Sequence, residues 1–216
     1  MNNRVLRAVI LIVVCTALGA ATGIFTTRYY HGNEPQKARI EGLLWPNPRV
    51  LQQFSAIDQD GKNFGLENLS GKWTFLFFGY THCPDICPVT LTVLDQVYKK
   101  LATGPRENNV QVVFVTVDPE RDTPGVIKSY MAYFNKDFIG LTGTEEQIDS
   151  LATQIGIVHT HAKETASGDY LVDHTASVFL ISPDDKLLGI FSPPHTADDM
   201  VSRYHAINKF IKNLNS

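Results

Sequence analysis

Apolar and polar positions alternate along this chain in two distinct periods. "WTFLFFG" (73–79) is short and continuously apolar, the pattern of a strand buried on both faces. "VTLTVLDQVYKKLA" (89–102) instead spaces Leu91, Leu94, Val97, Tyr98 and Leu101 along one face of a helix. "VQVVFVTV" (110–117) reads as a second, β-branched strand. Thr123 then caps a helix that has Pro124 at its first position and runs to Phe134. Phe138 to Leu141 is a short strand, and "TEEQ" (144–147) is a capping box opening a helix to Ile155. "IGIVHTHAK" (155–163) and "SVFLISPDDKLLGIF" (177–191) supply three more strands, the last two joined by a turn at Pro183-Asp184-Asp185. Thr196 starts a last helix that ends at Leu214. Such alternation implies a central, mostly parallel sheet with helices on both faces.

The N-terminus departs from this pattern. Ala8 to Phe25 is uncharged and apolar, close to the ~20 residues that cross a bilayer as a helix. Arg4 and Arg7 precede it and Arg28 follows, so the positive-inside rule puts the N-terminus in the cytoplasm and exports the rest. The competing reading is a cleaved signal peptide with "GAA" (19–21) at its cleavage site. Three segments are therefore expected: residues 1–28, a cytoplasmic N-terminus and transmembrane anchor; 29–49, a polar linker and entry; and 50–216, the folded domain. With 44% hydrophobic and 19% charged residues, the chain is a folded protein. Its net charge of −3 gathers three arginines and no acid into the first 28 residues, leaving the remainder acidic, a poor footprint for nucleic acid.

The three cysteines decide the chemistry. Cys15 lies in the apolar span, so Cys83 and Cys87 of "FFGYTHCPDICP" (77–88) are the only thiols of the exported domain. They can exchange electrons, bind a metal or staple the loop, although a disulfide closing so short a loop adds little stability. A paired-cysteine loop after the leading long strand is the arrangement of a thioredoxin-like three-layer sandwich with a central mixed sheet. A helix starting in or just after the loop would favour the thiolate, which serves exchange and metal binding alike. Three residues intervene where thioredoxin motifs have two, which lets both sulfurs converge on one ion. Two soft thiolates favour Cu(I), with zinc as the competitor.

A third ligand must come from elsewhere. His31, His195 and His205 read as surface residues, and His82 tends to point away from the neighbouring sulfur. His159 and His161 alternate on one strand face, spacing that suits either a metal or plain exposure. His174, in "YLVDHTASVFLI" (170–181), precedes a core strand at the place that faces the cysteine loop in a thioredoxin-like fold. Thr175 and Ala176 stand there where thioredoxins have a proline. Asp118 reads as a turn cap or an orienting group near the loop, and Asp173 as a solvated or site-stabilising charge.

With "FFGYTHCPDICP", "VTVDPERDTP" (115–124), "GLTG" (140–143) and "VDHT" (172–175) in order, the sequence resembles the Sco/SenC family over residues 50–212. The resemblance implies a thioredoxin-like fold and copper, Cu(I) and also Cu(II), held by Cys83, Cys87 and His174. It implies a membrane-anchored periplasmic copper chaperone that assists assembly of the binuclear copper A centre of cytochrome c oxidase. Its partners would be the copper-bearing oxidase subunit or another copper donor or acceptor. Whether the chain is also an enzyme stays open, the alternative being a periplasmic thiol–disulfide oxidoreductase that reduces a partner's cysteines. A peroxidase of the same general fold would need a supporting pocket of which the residues give no specific sign.

Overall fold

The apolar run at 73–79 forms a strand in which all seven residues are buried. Around it, a computed structural model describes residues 16, 19, 22, 40–44, 46–102, 109–157, 159–161, 172–174 and 176–214. In chain order the elements are β1 (Arg49–Val50), β2 (Ser55–Asp58), β3 (Asn63–Gly65), β4 (Trp73–Gly79), α1 (Ile86–Ala102), β5 (Val110–Thr116), α2 (Pro124–Phe134), β6 (Ile139–Thr142), α3 (Glu145–Ile155), β7 (His159–His161), β8 (Val172–His174), β9 (Val178–Ile181), β10 (Lys186–Phe191) and α4 (Ala197–Leu214). The chain divides into the units Met1–Arg39 and Ile40–Ser216. Among the described residues no helix is long and apolar enough to cross a membrane. The expected Ala8–Phe25 anchor lies outside them apart from Thr16, Gly19 and Thr22.

Eight strands form one sheet in the order β1-β10-β9-β4-β5-β6-β2-β3, while β7 and β8 pair separately. Among the described residues only β4–β5 and β5–β6 are parallel, and every other strand pairing is antiparallel. The sheet is thus mixed rather than mostly parallel. The physical reason is that tight turns, not helices, join β9 to β10 and β2 to β3, and a short turn can only reverse the chain.

The pleat assigns the helices to faces. Phe75 packs its ring 5.9 Å from Phe191 and 5.8 Å from Tyr204 of α4. Phe77, two residues on and so on the same face, lies 6.2 Å from Phe114, which in turn meets Tyr130 of α2. A Cβ at Gly140 would fall 2.1 Å from Ile127 Cγ2, so glycine lets α2 lie close against β6. The register puts Leu141 and Ala56 on the reverse face, where α3 packs against β2. Each fully buried Phe or Leu of this core contributes about 1.5–3 kcal/mol.

The caps follow the sequence. Thr123 accepts from the Val126 N–H, and Thr144 and Gln147 close a reciprocal capping box. Tyr204 is buried edge-on against Trp73. Burial pushes its phenol from 10.0 up to about 12, with the Asn208 side chain opposing the shift. The folded state therefore holds this proton more tightly than the unfolded chain. Stability is full below pH ~10 and falls by about 3 kcal/mol as pH rises toward 12. Thermal melts between pH 9 and 12 should show this loss, and Tyr204→Phe should flatten it relative to the unaltered chain.

Candidate metal centre

Parallel pairing of β4 and β5 brings the loops after both strands to one edge of the sheet, where open α/β folds place their sites. β4 ends at Gly79, and the chain turns through Tyr80, Thr81 and His82 to Cys83. The Cys83 N–H donates to the Tyr80 carbonyl at 3.2 Å, and the Val117 N–H after β5 donates to the Gly79 carbonyl at 2.8 Å. Cys83 lies just before α1 and Cys87 in its first turn. The two do not share a helical turn, because Pro84 disfavours helical backbone at the residue before it.

Neither cysteine is in a disulfide, and both are buried, Cys83 9% exposed and Cys87 0%. The Cys87 thiol donates to the Cys83 sulfur, and this bond, followed by burial, pushes its pKa far above the ordinary thiol value. The Tyr80 N–H, which donates to the Cys87 sulfur, opposes the shift only in part. The acidifying influence expected of a helix start is thus overridden at Cys87. Cys87, the deeper of the two, keeps its proton.

Asp122 organises the surrounding loops. Its carboxylate, 0% exposed, accepts from the Thr81 N–H at 2.9 Å, the Thr81 hydroxyl at 2.5 Å and the Thr116 hydroxyl at 2.6 Å. Sequence reasoning had singled out Asp118 instead. That residue is also buried, but its carboxylate pairs with Arg121 Nε while its carbonyl accepts from the Asp122 N–H at 3.0 Å. Arg121 in turn lies 5.8 Å over the Tyr80 ring. Asp118 therefore shapes the turn that presents Asp122. Thr81 and Thr116, both polar at the ends of apolar strands, were the signal that could have revealed Asp122.

Two tyrosines were likewise missed. The Tyr80 hydroxyl accepts from the Val172 N–H, tying the cysteine loop to β8; burial is the main cause that raises its pKa. The Tyr130 hydroxyl is buried with no hydrogen-bond partner among the described residues. Burial, and then the charges of Cys87, Cys83 and Asp122, push its phenol well above its ordinary value.

The histidines sort as follows. His82 is exposed, with Nδ1 3.2 Å from Thr81 Oγ1 and 3.8 Å from Asp122 Oδ1. His195 is half-buried rather than a free surface group, and its Nε2–H donates to the Ala176 carbonyl at 2.9 Å. His205 is exposed on α4, as expected. His174 is the last residue of β8, in register with His159 on β7. The side chains of His159, His161, Asp173 and His174, and all of His31 and Thr175, lie outside the described residues. Among the described residues no three His, Cys, Asp or Glu side chains gather to hold a metal. The fit of copper rests on the donor set itself: two convergent soft sulfurs at the sheet edge, both buried.

Comparison with known proteins decides the lineage. The SCO1/SenC family profile matches residues 45–209. The chain belongs to the SCO1/SenC family. It is 37% identical over 205 residues to the mitochondrial SCO2 homolog of Bos taurus, covering 93% of this chain and 76% of that protein. Arabidopsis thaliana ScoI, solved with copper bound, superposes with a TM-score of 0.68 at 36% identity, over 76% of this chain and 99% of that one. BsSco is a member of the Sco family of cytochrome c oxidase assembly proteins in which a disulfide switch was identified. It matches with a TM-score of 0.59 at 27% identity, over 77% of this chain and 98% of that one. The expected thioredoxin-like fold is therefore the Sco fold, and copper is the metal bound in a solved relative.

Proposed function

We propose that this Sco protein is a copper chaperone for cytochrome c oxidase assembly. In this reading Cys83, Cys87 and His174 hold Cu(I), with Cu(II) accepted when a further donor joins. The observation that carries it is the contact between the two reduced thiols at the loop edge, both buried, with Cys87 the deeper of the two. Such a pair gives a soft ion two thiolates, and cargo would pass by stepwise ligand exchange through Cys83, the shallower of the two. Loading releases the proton that Cys87 otherwise keeps. The link from Tyr80 to the Val172 N–H supports His174 as the third ligand, because it ties the cysteine loop to the strand ending in that histidine. The copper-bound relative and the oxidase-assembly role of BsSco's family point the same way.

The acceptor in this proposal is the copper A centre of the copper-bearing oxidase subunit. A single-pass inner-membrane anchor at Ala8–Phe25 would keep the domain in the periplasm beside it. The second reading, a periplasmic thiol–disulfide oxidoreductase, is favoured by the same sulfur contact. Cys83 would attack a partner's disulfide, and Cys87 would then close the Cys83–Cys87 bond, passing two electrons to the partner.

A Cu(I) competition titration against a chromophoric chelator separates the readings. One-to-one binding is expected, weakened by at least about a hundredfold in Cys83→Ser and strongly in His174→Ala. Binding indifferent to His174, together with rapid reduction of a partner disulfide, would leave the oxidoreductase reading instead.

A further inference from the structure

Tyr130 sits on α2 with its ring 5.9 Å from Phe114 and 5.1 Å from Phe134. Phe114 in turn borders the thiol pair. The point that a Cβ on Gly79 would occupy is 2.9 Å from Phe114 Cε2 and 2.9 Å from Cys87 Sγ. The Tyr130 hydroxyl is buried and has no hydrogen-bond partner among the described residues. It lies toward the thiols, since the charges that act on it are those of Cys87, Cys83 and Asp122, in that order. Asp122 already accepts two hydrogen bonds from Thr81 and one from Thr116. The Cys87 sulfur gives its own hydrogen to Cys83 and accepts one from the Tyr80 N–H. A buried hydroxyl left unpaired destabilises the state that leaves it so.

We infer that Tyr130 is a positioning residue of the thiol site, its hydroxyl donating a hydrogen bond to the Cys87 sulfur once metal loading breaks the thiol bond from Cys87 to Cys83. The inference rests on the copper reading above, in which Cys87 binds as a thiolate. Loading sends the Cys87 proton to solvent, while the phenol keeps its own. The sulfur then carries negative charge where it is fully buried, the setting in which a hydrogen-bond donor acts most strongly. Donors of this kind fix a metal ligand's orientation and its electron density. The same hydroxyl therefore weakens the metal-free fold and strengthens the loaded one, so its removal should have effects of opposite sign on the two.

The test compares the unaltered full-length chain with Tyr130→Phe, both in a mild detergent. Each is titrated with Cu(I) against a chromophoric chelator and melted without metal. Phenylalanine keeps the ring contacts with Phe114 and Phe134, so the variant should fold. Its Cu(I) affinity should fall about 10–100-fold, the strength of a hydrogen bond to a charged acceptor. Its metal-free form should melt no lower than the unaltered chain. The ultraviolet thiolate-to-copper absorption, taken as loaded minus metal-free, should move to longer wavelength, because the sulfur then holds its electrons less tightly. Tyr133→Phe, on the same helix but 83% exposed, should change none of these. Equal affinity, an unmoved absorption or a lower metal-free melt in Tyr130→Phe would overturn the inference and leave the copper reading intact. Failure of the unaltered chain to bind Cu(I) would overturn both.

Discussion

Asp122→Ala is expected to cost about 3–5 kcal/mol, the range for removing one member of a buried, hydrogen-bonded charged cluster. The carboxylate is wholly buried and serves three donors, two from Thr81 in the cysteine loop and one from Thr116 at the end of β5. Truncation leaves the Thr81 N–H without its acceptor in a partly buried loop. The Thr81 and Thr116 hydroxyls can rotate to seek other partners, but the amide cannot. In a chain of 216 residues this loss should lower the melting temperature by about 6–20 °C. Asp122→Asn should recover part of it, since its Oδ1 can still accept while its NH2 must face a donor. Thr81 is two residues from Cys83, so Cu(I) affinity should fall with stability in both variants and in the same order. Melts and chelator competition on both proteins check this. A melting shift under about 2 °C for the alanine variant would mean that the carboxylate is not what joins the loops.

Residues that act through local chemistry were legible in the sequence. The run at 73–79 had to be a buried strand, and Thr123 and Thr144 marked helix starts that their side chains then capped. Cys83 and Cys87 stood out as the only thiols outside the apolar N-terminal span. What stayed hidden depends on long-range juxtaposition. β1 is two exposed residues and β2 only four of mixed polarity, so neither shows the alternation by which strands are recognised. Asp122, inside "DPERD", looks like one more solvated acid until β4 and β5 pair and bring Thr81 beside it. Tyr80 reads as the end of an apolar strand, and its tie to Val172, about 90 positions away in sequence, has no local signature. His174 was expected in a loop before a core strand. It ends a strand of its own, because pairing with His159 extends the backbone there.

Gly79→Ala is expected to disturb the thiol pair from beneath. A Cβ at this position would lie 2.9 Å from Cys87 Sγ, 2.9 Å from Phe114 Cε2 and 3.3 Å from Phe77 Cε1. The backbone there does not need glycine for its dihedral angles, since Gly79 is not among the residues with positive φ. What it needs is the absence of a side chain. Phe77 and Phe114 are fully buried and flanked by other rings, so they have little room to retreat. The Cys87 sulfur is the smaller obstacle and would move, away from the Tyr80 N–H and out of line with Cys83. Overpacking of this kind costs about 1–3 kcal/mol. The sulfur's share of that cost can be isolated by a double-mutant cycle with Cys87→Ala, which opens the space the new methyl would enter. A coupling of about 1 kcal/mol or more, with the methyl cheaper when the sulfur is gone, is the expected result. Coupling near zero would place the whole strain on Phe114. Gly79→Ala should then leave Cu(I) affinity intact while lowering stability, whereas a displaced sulfur lowers both.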